Sequence, residues 1–187
     1  MEKIRCDWAQ GKELEETYHD EEWGTAEHSD QKLFEMLILE SMQAGLSWST
    51  ILKKRGTLTS AYDQFDYTKI AEYTQEKIDS LLKDPGIIRN KLKINATINN
   101  AQVFMRIQEE YGSFDQFIWS YVDGTPIKNR WKEVGEVPAS TELSDKISKD
   151  LKKKGFKFLG TTTVYAFMQA TGMVDDHLAH CFKRQEE

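Results

Sequence analysis

Four residues of this chain carry the side chains of metal ligands: Cys6, His19, His177 and Cys181. His177 and Cys181 are four positions apart, so on a helix both side chains leave the same face. Two thiolates and two imidazoles match a closed tetrahedral zinc site with no position left for water. Such an ion is structural: it would fasten the N-terminal segment to the C-terminal one, and chain ends fray unless tied down. His180 stands beside Cys181 as a competing ligand. A Cys6–Cys181 disulfide, or unrelated buried cysteines and surface histidines, are the other readings of the same residues.

A second group surrounds Glu40. Leu33, Leu37, Glu40 and Ala44 recur at the three- and four-residue steps of one helical face. A carboxyl in the middle of an apolar stripe is rarely buried without a partner. It pairs with a buried Lys or Arg, or it lines a cavity and meets a ligand. Trp48 follows closely, and Trp8, Tyr18 and Trp23 lie upstream. Such rings stack on a flat, electron-poor or cationic ring and attract its charge, while the carboxylate accepts hydrogen bonds from its edge. Core packing is the competing reading of the aromatics.

A third group could hold phosphate. Residues 78–91 read as helix, tight turn, helix, with Pro85-Gly86 making the turn and Gly86 allowing close backbone approach. The turn is expected to open the second helix, whose free N–H groups and dipole attract an anion. Arg89, Lys91 and Lys93 add cationic side chains. Pro85, Gly86, Arg89 and Lys91 then form a clamp on DNA backbone that reads no sequence.

The elements that must position these groups are helical nearly throughout, and the fold class is all-α. Ser29 or Asp30 caps a helix running to about residue 44. Thr74 starts one that ends near Lys83, and Asp84-Pro85-Gly86 breaks it. A longer helix spans about 89–110 and stops at Gly112. Ser113 to Gln116 fits a capping box for a short helix carrying Phe117, Ile118 and Trp119. Residues 123–140, with Asp123-Gly124, Pro126 and Pro138, read as a long surface loop. Helices at about 144–154 and 162–171 follow, stopped by Gly155 and Gly172.

The chain of 187 residues suits one domain or two small lobes. Five Trp, nine Phe and seven Tyr supply enough bulky apolar surface for a core, which excludes a disordered chain. No apolar run reaches the roughly 20 residues of a membrane span, and no secretory signal opens the sequence, so the expected setting is the cytosol. There, two cysteines are thiols or metal ligands. The net charge of −6 argues mildly against a nucleic-acid partner, yet the charge is unevenly placed. Residues 1–42 hold 12 acids against four bases, whereas 83–106 hold five bases against Asp84 and 149–157 five lysines against Asp150. Local potential, not the total, draws in a phosphate backbone; solvated helix faces are the alternative.

Several strings resemble a known family: Tyr18-His19-Asp20-Glu21-Glu22-Trp23-Gly24, Leu33-Phe34-Glu35-Met36-Leu37, and Leu39-Glu40-Ser41-Met42-Gln43-Ala44-Gly45-Leu46-Ser47-Trp48. Ile51-Leu52-Lys53-Lys54-Arg55, Gly86-Ile87-Ile88-Arg89, Lys154-Gly155-Phe156-Lys157-Phe158-Leu159-Gly160 and Gly172-Met173-Val174-Asp175-Asp176-His177 continue it over almost the full length. The chain resembles the bacterial 3-methyladenine DNA glycosylase I family, of the helix-hairpin-helix superfamily. The resemblance implies an enzyme that acts on alkylated double-stranded DNA, releases free 3-methyladenine and leaves an abasic site. It places one zinc ion on Cys6, His19, His177 and Cys181. The pocket carboxylate, the candidate catalytic group, falls on Glu40. The base-contacting aromatics fall on Tyr18 and Trp48, with Trp8 and Trp23 close by, and the hairpin on about 81–91. Leu46 is the candidate for the side chain that fills the gap left by the flipped base. One departure is Glu15, where the family usually has a second tyrosine. The expected organisation is one glycosylase unit, with a helix-hairpin-helix lobe at 30–112 and a zinc-stapled lobe from 1–29 and 113–187. A monomer without membrane contact is the default. The alternative function is a zinc-stapled DNA-damage binding module without hydrolysis. A zinc hydrolase is disfavoured, because protein side chains would fill every ligand position.

Overall fold

The computed structural model describes residues 2–185. Helices dominate it: α1 (Glu13–Glu21), α2 (Asp30–Met42), α3 (Trp48–Ala61), α4 (Tyr67–Ile70) and α5 (Gln75–Leu82) in the first half. Then come α6 (Lys91–Tyr111), α7 (Phe114–Trp119), α8 (Glu142–Lys154), α9 (Thr161–Ala170) and α10 (Phe182–Gln185). The polar residues that flank the apolar segments set their starts. Ser29, Thr74, Asn90 and Ser113 each accept a hydrogen bond from a backbone N–H in the first turn of α2, α5, α6 and α7. Each bond satisfies a donor with no intrahelical partner, worth about 1 kcal/mol. Gly112 ends α6 at φ 90° and Gly155 ends α8 at φ 107°, a left-handed stop that costs glycine least.

The α2 helix is the axis of the fold. Leu33, Phe34, Leu37, Ile38 and Leu39 are fully enclosed, and burial continues through Glu40, Ser41 and Met42. It packs against α3, α6, α7 and α9. A helix apolar all round belongs in a core. The single stripe expected from the sequence therefore understates its burial, and Ala44 lies beyond its end, exposed. Truncating Leu37 to Ala would cost about 2–5 kcal/mol. Asp30 fixes the start of α2 against α7, accepting from Phe114 N at 3.0 Å and Asp115 N at 2.8 Å.

Two expectations need correction. Residues 123–140 are not only surface loop: β1 (Ile127–Lys128) pairs in parallel with β2 (Val174–Asp175), just before His177, and a 3-10 turn forms at Val134–Glu136. The pairing is too short to show as alternation in sequence. The hairpin also differs. Its second helix begins at Lys91, capped by Asn90, so Pro85-Gly86 lies in mid-connection and does not open the helix. The Asp84 carboxylate accepts from Gly86 N at 2.8 Å, and the Thr57 hydroxyl donates to Gly86 O, which pins the turn on α3. A Cβ at residue 86 would stand 3.0 Å from Thr57 Cβ, so glycine serves close approach here.

Candidate active site

Glu40 reaches the wall of a cavity of about 270 Å³, whose lining includes Trp8, Tyr18, Trp23 and Trp48. That lies just under the usual range of about 300–1,000 Å³ for small-molecule sites, and it suits one flat ring system. The rings come from three places: Trp8 from the N-terminal segment, Tyr18 and Trp23 from α1 and the turn after it, and Trp48 from the first turn of α3. Trp8 meets Trp23 edge-on at 5.1 Å between centroids, and Tyr18 tilts against Trp48 at 5.4 Å. Ser47 caps α3 by accepting from Thr50 N, which fixes Trp48 at the helix start. Cys6, Gln43, Val134, Val137, Ala166, Gln169, Asp176 and Leu178 complete the lining.

Three polar groups on the wall of this cavity lack partners. Glu40 is 5% exposed, and among the described residues nothing hydrogen-bonds its carboxyl; burial alone raises its pKa from 4.5 to about 8. The ion pair that sequence reasoning held open for it is absent among these residues. The Tyr18 hydroxyl and the Trp48 indole N–H are buried without a hydrogen-bond partner as well. Burial, with Glu40 close by, pushes Tyr18 well above its usual range, so it stays a neutral donor. Buried polar groups are normally satisfied, and each left open costs about 1–3 kcal/mol. A carboxyl, a phenol and an indole N–H thus face one aromatic slot, and a ring with donors and acceptors on its edge would complete them.

Asp176 is a carboxylate of the opposite kind. It is 2% exposed, and Asn129, Trp131, Tyr165 and Gln169 all donate to its two oxygens, Trp131 Nε1 at 2.8 Å. It braces loop 129–131 against α9 and has no lone pair to spare for chemistry. Sequence reading missed this brace, and also Val134 and Val137, because that stretch reads as surface loop.

Beside the cavity lies the thiol–imidazole cluster. Ligand atoms of Cys6, His19 and Cys181 lie within 4.8 Å of one another, all buried. His177 adjoins them, its ring centroid 5.2 Å from that of His19, and its Nε2 is buried without a partner. Asp20 holds His19 Nδ1 at 2.9 Å and Asp175 holds His177 Nδ1 at 2.7 Å, so each ring leaves Nε2 for another bond. Cys6 and Cys181 are free thiols, which removes the disulfide reading. Cys181 is pushed down to about 4, chiefly by the hydrogen bond from Cys6, while Cys6 is pushed up by giving that hydrogen; the pair shares one proton. His180 turns instead to Asp7 at 3.0 Å. Two sulfurs and two second-nitrogen imidazoles are a donor set that fits a tetrahedral ion.

Glu15 is 8% exposed but does not line the cavity; it accepts from the Ser49 hydroxyl and ties α1 to α3. Arg89 and Lys91 are exposed at the entry to α6, whereas Lys93 is buried and takes no part in an exposed cationic patch. Leu46 is exposed at 37%, next to Gly45 at φ 79°.

A helical frame closes four aromatic rings round one unpaired acid, in a slot of the size of a single flat ring. Residues 8–184 match the model of the methyladenine glycosylase family, and the chain belongs to that family. DNA-3-methyladenine glycosylase 1 of Escherichia coli K12 is 46% identical over 177 residues, 95% of each chain. DNA-3-methyladenine glycosylase of Haemophilus influenzae Rd is also 46% identical over 177 residues, 95% of this chain and 96% of its own. A solved structure on 3-methyladenine recognition by 3-methyladenine DNA glycosylase I from Staphylococcus aureus superposes with TM-score 0.93. It is 38% identical and covers 96% of both chains.

Proposed function

We infer that this protein is a DNA-3-methyladenine glycosylase: it hydrolyses the N-glycosidic bond of 3-methyladenine in alkylated DNA and leaves an abasic site. Family membership gives the activity, and one observation carries the reading at residue level. Glu40, Tyr18 and Trp48 present three unsatisfied polar groups to one aromatic slot. A target base inside a duplex is out of reach, so the nucleotide must first be turned out of the stack. Methylation at a ring nitrogen makes the base cationic and weakens its bond to the sugar. Trp48 and its neighbours stack on the ring, and Glu40 accepts hydrogen bonds from its edge. Burial lifts Glu40 to about 8 and so favours its protonated form at neutral pH; an arriving cation favours the carboxylate, and neutral adenine offers no such gain. Water adds at the sugar carbon as the base departs, neutral, with the bonding pair, and the proton of that water passes to solvent. Asp176 has both oxygens engaged and is not assigned to that water.

Exposed Leu46 fills the space left by the turned-out base. The hairpin at about 81–91, with Pro85, Gly86 and the cations Arg89 and Lys91, holds the backbone in the manner of a helix-hairpin-helix lobe, 30–112, with the remaining segments closing the pocket. One zinc ion on Cys6, His19, His177 and Cys181 would supply no chemistry to the reaction, only a fastening of the two end segments. Buried His177 Nε2 and the two free thiols support it. No helix among the described residues is long and apolar enough to cross a membrane; a bacterial cytosol, reducing and DNA-containing, suits two free thiols, and a monomer suffices for this site. Chromatography of bases released from methylated duplex DNA tests the reading. Release of free 3-methyladenine is expected, and binding without release would leave only a damage-binding module.

A further inference from the structure

Three cations near the start of α6 have different fates. Arg89 and Lys91 stand in solvent, but Lys93 is only 7% exposed. Its ammonium donates to Met42 O at 2.8 Å and to Ala44 O at 2.6 Å. Among the described residues no carboxylate shares it. A buried ammonium is expensive unless hydrogen-bonded, and here the acceptors are carbonyls at the C-terminal end of α2, the negative end of that helix.

The segment held in this way has a particular position. Glu40 lies two residues before Met42, and Trp48 lies four after Ala44. Between Ala44 and Trp48 come Gly45, at φ 79°, and exposed Leu46. The turn's own bonds are few: Gln43 N to Glu40 O at 3.2 Å and Leu46 N to Gln43 O at 2.7 Å. Lys93 therefore bolts the turn that spaces the acid from the stacking ring onto the first turn of α6. Asn90, which caps α6 by accepting from Lys93 N, ties the same residue to the cationic end of the connection.

We propose that Lys93 is a positioning residue that couples the hairpin's grip on the DNA backbone to the turn that expels and seats the base. The proposal rests on the base-excision reading above. The Lys93 ammonium gives residues 85–91 a direct link to Met42 and Ala44, beside the packing of α2 on α6 and the Thr57–Gly86 bond to α3.

Lys93→Met removes the donor at similar size, and Lys93→Gln keeps one neutral donor and serves if the first does not fold. Three quantities separate coupling from bracing: single-turnover excision from intact methylated duplex, excision from a duplex lacking the base opposite the lesion, and affinity for free 3-methyladenine. Coupling predicts a tenfold or greater loss on intact duplex. On the duplex already unstacked at the lesion the loss stays under threefold, and free-base affinity stays within twofold. Wild-type excision from intact duplex by a folded variant overturns the proposal. So does an equal loss in all three quantities, which would make Lys93 a brace of the pocket. If the unaltered protein released no base from any substrate, the glycosylase reading itself would fail, a result distinct from either.

Discussion

Glu40→Gln keeps the shape of the pocket and removes its ionisable group, and the structure gives the size of two separate effects. The first is on stability. Burial raises Glu40 from 4.5 to about 8 in the folded protein, so the folded state holds this proton more tightly than the unfolded chain does. Below pH 4.5 both states are protonated and ionisation adds no cost. Between pH 4.5 and 8 only the unfolded chain ionises, and stability falls as pH rises; above 8 the loss is complete. At about 1.4 kcal/mol for each pH step of one, the ceiling is about 5 kcal/mol above pH 8 and about 3 kcal/mol at pH 7. The glutamine variant does not titrate. It should match the unaltered protein near pH 4 and gain on it steadily toward pH 9, read from urea unfolding of the ligand-free protein at pH 5, 7 and 9.

The second effect is on excision and has the opposite sense. A hydrogen bond to a charged group is worth about 1.5–3 kcal/mol, so the variant should excise 3-methyladenine roughly tenfold to a hundredfold more slowly. Its affinity for the free base should fall as well. In the unaltered protein kcat/KM should rise as pH approaches 8, because that ratio reports the free enzyme and its ionised carboxyl is the form that welcomes the cation. The variant should lack this rise. Wild-type excision by the folded variant would refute the recognition argument and leave Glu40 a structural group. A stability difference that stays constant across pH would refute the claim that Glu40 keeps its proton in the empty pocket.

Metal analysis should find one zinc per chain, and Cys181→Ser should lose both the metal and stability; metal-free protein of full stability would remove the zinc assignment. Arg89→Glu should weaken binding about equally on all DNA sequences and flatten the dependence of log affinity on log salt by about one or more, since a phosphate contact is lost. An unchanged slope would move the DNA face elsewhere, for instance to Lys152-Lys153-Lys154. Glu15→Ala should leave free-base affinity within about twofold and cost about 1.5–3 kcal/mol of stability, the worth of a hydrogen bond from Ser49 to a charged group. A fivefold or greater loss of affinity would bring Glu15 back into the pocket.

The chemistry of the site was more legible in the sequence than its architecture. Ligand types and an i, i+4 spacing marked His177 and Cys181, and a carboxyl on an apolar stripe marked Glu40, because burying such groups has a cost that only a ligand or an ion offsets. The sequence also marked the helix caps at Ser29, Thr74 and Ser113, which depend on neighbours three residues away. What escaped depends on partners far along the chain. Lys93 looks like any solvated lysine until Met42 and Ala44 are seen 2.8 and 2.6 Å from it. Asp176 looks like a turn residue until donors from Asn129, Trp131, Tyr165 and Gln169 converge on it. Val134 was hidden by the turn chemistry around it. Glu15 stands where the family usually has a tyrosine, which left its orientation open, and its side chain meets Ser49.

The four candidate ligands suggested a staple between the two end segments, and the packing makes their cluster continuous with the pocket. Cys6 and Leu178 line the base cavity itself. Trp23 stacks on His19 at 6.0 Å and meets His177 edge-on at 4.8 Å, while Trp8 meets His19 edge-on at 5.5 Å. Two of the four pocket rings therefore rest directly on the imidazoles that Asp20 and Asp175 hold in place. The opposite wall, from Glu40 to Trp48, is held by Lys93 on the hairpin side. One wall is thus set by the joining of the two end segments and the other by the element proposed to meet the DNA backbone. The base slot lies where they face each other, which is why neither a local motif nor a single helix reveals it.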